Sequence, residues 1–339
     1  MASGGSSKRT IADSLERDLC SFCGACLAVC PKGALSEKDP SESKPCLNRE
    51  LCVDCGLCGK VCPQVDLPSE LYDAGSYRFL EAYEARATDN EVLERAQDGG
   101  AVTALLLAAL EAGLIDAALA VKRDEEWHPI PVIARTREEV LECCGTKYVY
   151  APTLRVLKEI AAANDITRVA VVGVPCQIRA VNKMREAKLL KYTRKIAFTI
   201  GLFCTHNFSW KSLNKLLGEL GVQIRDVERM EIRKGKFTVT LKNGDKRECP
   251  VEKTFSDLRP SCEQCPEFIS RYADVNVGSI GSPQGWSTVL VMNEKGAELL
   301  KEARKQGLLE TRPLGEKGRK LVERFIERKL KSAAKEKRQ

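Results

Sequence analysis

Cys20–Pro31 reads CSFCGACLAVCP and Cys52–Pro63 reads CVDCGLCGKVCP, so C-x2-C-x2-C-x3-C-P occurs twice within the first seventy residues. Two such runs force eight thiolates around two compact clusters, which constrains the fold more than any hydrophobic pattern does. In this run three closely spaced thiolates grip three irons of a cubane, while the fourth cysteine reaches across to the other cluster. The spacing assigns Cys20, Cys23, Cys26 and Cys62 to one 4Fe-4S cluster, and Cys52, Cys55, Cys58 and Cys30 to a second. Gly24 and Gly56 allow the tight turns that three ligands in seven residues require. Backbone N–H groups aimed at the sulfurs tune the potential, and Pro31 and Pro63 end each run. Structural zinc suits a single C-x2-C pair but not two complete runs.

This is the run of bacterial ferredoxins, so a two-cluster 4Fe-4S ferredoxin domain is expected over residues 1–70. Between the repeats lies a polar insertion, LSEKDPSESKPCLNRE, whose Cys46 has no ligand-like setting. The chain has 16 cysteines, and no run of eighteen apolar residues. MASGGSSKRT lacks the apolar stretch of a secretory signal. An intracellular chain is expected, in which thiols serve as metal ligands rather than disulfides. His128 and His206 stand far apart and outside any ligand pattern, so imidazole-based metal sites are not expected.

The net charge of +7 is concentrated at the C-terminus, where residues 317–339 hold ten Lys or Arg against three Glu. This basic helical tail suits an acidic partner or surface, with a solvated helix as the plainer reading. Without aromatic interleaving or a recognisable motif, it does not indicate nucleic acid.

From about residue 75 to 316 the pattern is that of a mixed α/β (α+β) body. Helices are expected over 103–113, 152–163, 175–186, 211–220, 295–306 and 318–331, and strands over 115–121, 168–172, 195–203, 227–232 and 236–241, with a turn at Asn243-Gly244. The boundary with the ferredoxin module falls near 68–76. Cys176 follows one expected strand and Cys204 the next, so the two can meet at neighbouring strand ends. The pair Cys262 and Cys265 in CEQC would complete a four-thiolate site. Spacing alone leaves a third cluster, zinc and a redox-active thiol pair all open. Cys143, Cys144 and Cys249 have no such partners.

Seven stretches in order, AQDGGAVTALL (96–106), GTKY (145–148), GVPCQ (173–177), GLFC (201–204), KGKF (234–237), CEQC (262–265) and ADVNVGSIGSPQGWSTV (273–289), resemble the family of coenzyme F420 hydrogenase and dehydrogenase beta subunits. Here F420 is a deazaflavin. The resemblance covers most of residues 77–310. It implies a body that binds FAD and coenzyme F420, with Cys176, Cys204, Cys262 and Cys265 ligating a third 4Fe-4S cluster beside the flavin. Gln97, Asp98, Gly99, Gly100 and Thr103, then Gly145, Thr146, Lys147 and Tyr148, then Pro175 and Gln177, and Gly281, Trp286 and Ser287 become the implied FAD contacts. AQDGG ahead of a helix can receive a pyrophosphate, and no GxGxxG fingerprint supports a nicotinamide site.

The phosphate and polyglutamate of coenzyme F420 call for Lys or Arg. Lys122, Arg123, Arg135, Lys147 and Lys234 are candidates that the sequence does not rank. Hydride exchange with FAD needs no essential side-chain acid or base, so no catalytic side chain is assigned. With its ferredoxin module the chain resembles the F420-oxidising input subunits of archaeal membrane dehydrogenase complexes, implying partner subunits and a cytoplasmic place, either free or peripheral on the membrane. Open alternatives are a component of a cytosolic F420-dependent hydrogenase, formate dehydrogenase or sulfite-reducing system, a flavin-free electron carrier, and a relative acting on chlorophyll or another substrate.

Overall fold

The computed structural model describes residues 11–336. MASGGSSKRT and the last three residues of the basic tail lie outside the described residues.

The two cysteine runs have one backbone trace. Each enters a short helix, Ala25–Val29 or Leu57–Val61, through a left-handed glycine, Gly24 or Gly56, and each leaves it at an extended cysteine, Cys30 or Cys62. Phe22 and Asp54, at equivalent places, also have positive φ. Strands β1 (Leu35–Ser36) and β2 (Cys46–Leu47) pair antiparallel in the insertion, where Cys46 is exposed.

The body contributes β3 (Glu81–Ala87), β4 (Ala117–Arg123), β5 (Pro129–Ala134), β6 (Val169–Gly173), β7 (Ile196–Leu202), β8 (Val227–Arg233), β9 (Lys236–Leu241), β10 (Lys246–Pro250), β11 (Val275–Gly278), β12 (Ser287–Val291) and β13 (Leu309–Pro313). Eight of the described strands form one sheet in the order β13-β3-β12-β11-β7-β6-β4-β5. Its centre, β11-β7-β6-β4, is parallel, and its flanks are antiparallel. Alternate residues feed opposite cores, as the two-residue strand period requires. Ala118, Ala170 and Val275 pack with helices Ala101–Glu111 and Glu294–Lys305. Leu119, Val169 and Val171 pack with Ile178, Val181 and Met184 of helix Pro175–Glu186.

That second core also contains Cys23, Ala25, Ala28, Val29 and Val61 of the ferredoxin segment. The two modules therefore share a core. Gly24 is pressed against the backbone of Pro152 and Arg155, where a Cβ would lie 2.4 Å from the Pro152 oxygen.

Between β7 and β11 the chain inserts helix Trp210–Glu219 and the antiparallel sheet β10-β9-β8, packed around Leu213, Leu217, Phe237 and Val239. The β8–β9 turn, Lys234-Gly235, has φ of 49° and 76°, the two-residue hairpin geometry that demands positive φ twice. The terminal helix Glu316–Glu336 lays Val322, Ile326 and Leu330 over Tyr77, Phe268 and Leu290. The basic tail is thus part of a core. Among the described residues no helix is long and apolar enough to cross a membrane.

The expected elements are present with shifted ends. The helix expected over 152–163 starts as a 3-10 turn, Thr153–Val156, before Leu157–Ala162, because Pro152 and Thr153 sit where the chain closes on Gly24.

Candidate redox centres

Cys20, Cys23, Cys26 and Cys62 line one cavity with Ile11, Phe22, Leu27 and Pro63. Burial pushes the Cys20 thiol up to about 11, with Cys62 as a neighbouring thiol that adds to the shift. Cys26 is pushed up by burial and then by Cys23, Cys20 and Cys62. The structure thus gathers the four thiols that the spacing assigns to the first cluster. The Phe22 N–H donates to Cys20 Sγ at 3.3 Å, and the backbone of Gln64 and Val65 serves Cys62. Such amides hold negative sulfur and raise a cluster's potential. In the second set Cys58 has Cys55 and Cys52 beside it. Cys30 and Cys58 both pack against Ile11, Cys26 and Leu35.

The body's four thiols also converge. Cys176 opens helix Pro175–Glu186 after β6, and Cys204 follows β7, at the carboxyl ends of adjacent parallel strands. Burial pushes Cys176 up to about 12, with Cys265 and Cys262 nearby. Cys204 is likewise raised by burial and by Cys262, Cys176 and Cys265. The Tyr150 hydroxyl lies 3.1 Å from Cys262 Sγ. Four convergent thiols supply one ligand for each iron of a 4Fe-4S cluster.

Two adjacencies order the sites. Cys176 of the body is a neighbour of Cys23, and Cys58 of the second set is a neighbour of Cys26. The first site lies between the other two. Ser21 lies beside Cys176, while the Cys20 carbonyl accepts from Arg259 at 3.1 Å and from Ser261 at 3.4 Å. Arg259 also donates to the carbonyls of Ser43 and Glu42 and lies over the Tyr150 ring. Lys329 of the terminal helix donates to the carbonyls of Thr205 and Cys262 at 2.8 and 3.1 Å.

The residues implied as FAD contacts meet in part. Asp98 accepts from Arg233 and Ser279. Gln97 donates to the Met230 carbonyl at 3.2 Å and accepts from the Thr146 N–H at 3.4 Å. Gly99 has backbone at the Ser287 nitrogen and the Trp286 Cα where its side chain would be. The loops 96–100, 145–148 and 279–287 therefore adjoin at the N-terminus of helix Ala101–Glu111. Trp286 is half-buried under Arg312, and Gly281 (φ 106°) lies against Gly318.

Other candidates are committed to the protein. Gln177 donates to Ala151 and Thr153 and accepts from the Val174 N–H, next to Pro175 at the helix start. The Tyr148 hydroxyl accepts from Ile232. Thr103 Oγ1 lies 3.2 Å from Cys144 Sγ. Lys147 turns inward to the carbonyls of Cys143, Cys144 and Gly145, and burial pulls its ammonium down to about 8. Among the basic candidates, Lys122 pairs with Glu142 and Arg123 lies over Trp127. Arg135 follows β5, at the amino end of β4 and away from the cysteines, and pairs with Asp165. Lys234 is in the β8–β9 turn. Lys122, Arg123 and Lys147 neighbour one another around Cys143, whereas Arg135 lies at the other end of β4.

Comparison with known proteins matches residues 82–158 and 166–317 to the N-terminal and C-terminal parts of "Coenzyme F420 hydrogenase/dehydrogenase, beta subunit". The chain belongs to this family. Residues 19–65 match a 4Fe-4S dicluster domain. The coenzyme F420 hydrogenase subunit beta of Methanosarcina barkeri is 39% identical over 75% of this chain and 91% of its own length. A subunit of the F(420)H(2) dehydrogenase of Methanosarcina mazei is 34% identical over 96% of this chain and 93% of its own. A solved chain of the F420-reducing [NiFe] hydrogenase complex from Methanosarcina barkeri superposes with a TM-score of 0.73 at 38% identity, covering 76% of this chain and 91% of that one.

Sequence reasoning did not find Arg179, Glu267, Tyr150, Arg259 or Lys329. Only Arg179 carried a signal, since it stands three residues after Cys176 on one helix and so shares its face.

Proposed function

We propose that the chain exchanges electrons between coenzyme F420 and a partner complex, through FAD and three 4Fe-4S clusters. The observation that carries this reading is the adjacency of the body's four thiols to the first ferredoxin site through Cys176 and Cys23. FAD supplies the conversion between a hydride and single electrons, which the clusters then carry. Gly99, Gly100 and the amides opening helix Ala101–Glu111 would hold the pyrophosphate. Asp98, fixed by Arg233 and Ser279, sets the loop's position, and Trp286 closes one side. Cys176, Cys204, Cys262 and Cys265 hold the third cluster, and Tyr150 donates toward Cys262. The work of these residues is to bind, orient and exclude water.

Alignment over nearly the whole chain with an F(420)H(2) dehydrogenase component, against three quarters with a hydrogenase beta subunit, favours an F420H2 dehydrogenase input subunit. In that setting the exposed Lys and Arg of helix Glu316–Glu336 would face an acidic surface of the complex, which would hold the chain at the cytoplasmic side of a membrane. Likeness to an F420-dependent sulfite reductase and to a formate dehydrogenase beta subunit of Methanocaldococcus jannaschii supports the cytosolic alternative. The test is iron and flavin content of anaerobically purified protein, with absorbance before and after reduced coenzyme F420. About 12 irons, one FAD and bleaching of both chromophores are expected, with about 8 irons in Cys176→Ser. About 8 irons without flavin in fully loaded wild-type protein would leave a two-cluster carrier.

A further inference from the structure

Arg179 lies between two of the redox sites with one donor unpaired. Its side chain is 1% exposed, and that of its partner Glu267 is 0% exposed. Nε donates to the carbonyl of Pro63 at 2.9 Å, one residue beyond Cys62 of the first site. Nη1 donates to the Glu267 carboxylate. Nη2 and Glu267 Oε1 have no hydrogen-bond partner among the described residues. Burial works against the guanidinium charge, while Glu267, Cys265 and Cys176 around it favour it. Glu267 follows Cys265 by two residues and Arg179 follows Cys176 by three, so the pair is anchored at two ligands of the third site.

A buried guanidinium N–H left without an acceptor is costly. An apolar pair of similar volume would serve packing at least as well. The acceptor consistent with this geometry is a cluster sulfur beside Cys176 and Cys265. We propose that Arg179 donates its Nη2–H to a sulfur of the third cluster and raises that cluster's reduction potential relative to the first, with Glu267 opposing it. The proposal rests on the four body thiols holding a 4Fe-4S cluster. A donor and a positive charge at the sulfurs stabilise the reduced, more negative state. Arg179 is then a positioning residue for electron flow, biasing an electron toward the third cluster.

The test is a redox titration followed by electron paramagnetic resonance on the full chain, comparing wild type, Arg179→Gln, Arg179→Lys and Glu267→Gln, each with an iron count. Arg179→Gln is expected to keep about 12 irons and to lower the third midpoint alone. The third cluster's share of an electron against the first should fall about tenfold, equivalent to about 59 mV for one electron. Glu267→Gln should move the same midpoint upward, and Arg179→Lys should fall between wild type and Gln. Opposite signs separate tuning from docking, since a loosened interface would move both variants the same way. An unmoved third midpoint, or shifts of one sign in both, overturns the proposal. If Arg179→Gln loses iron, Glu267→Gln and Arg179→Lys decide by the same criteria. Wild-type protein with about 8 irons and no third signal would instead overturn the three-cluster reading, and the proposal with it.

Discussion

Gly99 has no room for a methyl group. A Cβ there would lie 2.3 Å from the Ala85 oxygen and 2.5 Å from the Ser287 nitrogen, both backbone atoms. Gly99→Ala is expected to cost about 2 kcal/mol. At about 2–4 °C per kcal/mol for a chain of this order, the midpoint of thermal unfolding should fall by several degrees. Flavin content should fall with it and iron content should not, because the AQDGG loop contains none of the candidate ligand cysteines. An unchanged midpoint and flavin content would show that the loop shifts freely. The cysteines of the two N-terminal runs were legible as candidate ligands because metal chemistry fixes their spacing within short segments, whereas Cys176, Cys204, Cys262 and Cys265 come from separate segments and were assigned to a cluster by resemblance. Asp98 was legible only as a member of a motif; its partners Arg233 and Ser279 come from the inserted sheet and from the loop after β11, 135 and 181 residues away. No local pattern encodes such a meeting.

Among the elements, the terminal helix differs most from its sequence impression. Its charges suggest a solvated appendage, yet Val322, Ile326 and Leu330, four residues apart, form one buried stripe. Ile326→Ala should cost about 2–4 kcal/mol, read as a lowered denaturation midpoint, whereas a cost below about 0.5 kcal/mol would mean that the helix is detachable. Deleting residues 317–339 would therefore disturb the fold as well as the charge, and would not isolate a docking role. Of the six body strands that the sequence reading missed, β3, β5, β10, β11, β12 and β13, two near the sheet edge, β3 and β13, escaped for a related reason. EAYEARA and LETRP mix charged and apolar residues, since strands near a sheet edge keep solvent-facing side chains, while the parallel centre reads as apolar runs.

At the scale of the whole molecule, composition located the change near residue 70 but gave no sign that the two modules share a core. The contacts that join them are Arg259 on the carbonyls of Cys20, Glu42 and Ser43, Lys183 on that of Val65, and Arg155 with Glu37. Docked this way, the first site faces the body and the second faces outward, where Leu51 and Val53 flank Cys52 at 49% and 56% exposure. If electrons run from the third site through the first to the second, removing the second should sever the exit and spare the entrance. Cys55→Ser is expected to hold about 8 irons and one FAD, and reduced coenzyme F420 should still bleach the flavin and the two remaining clusters at the wild-type rate. Reduction of an added protein electron acceptor should fall more than about tenfold, because the next cluster inward lies behind Cys26, which is buried. Acceptor reduction at the wild-type rate would place the exit elsewhere and leave the second site a structural cluster.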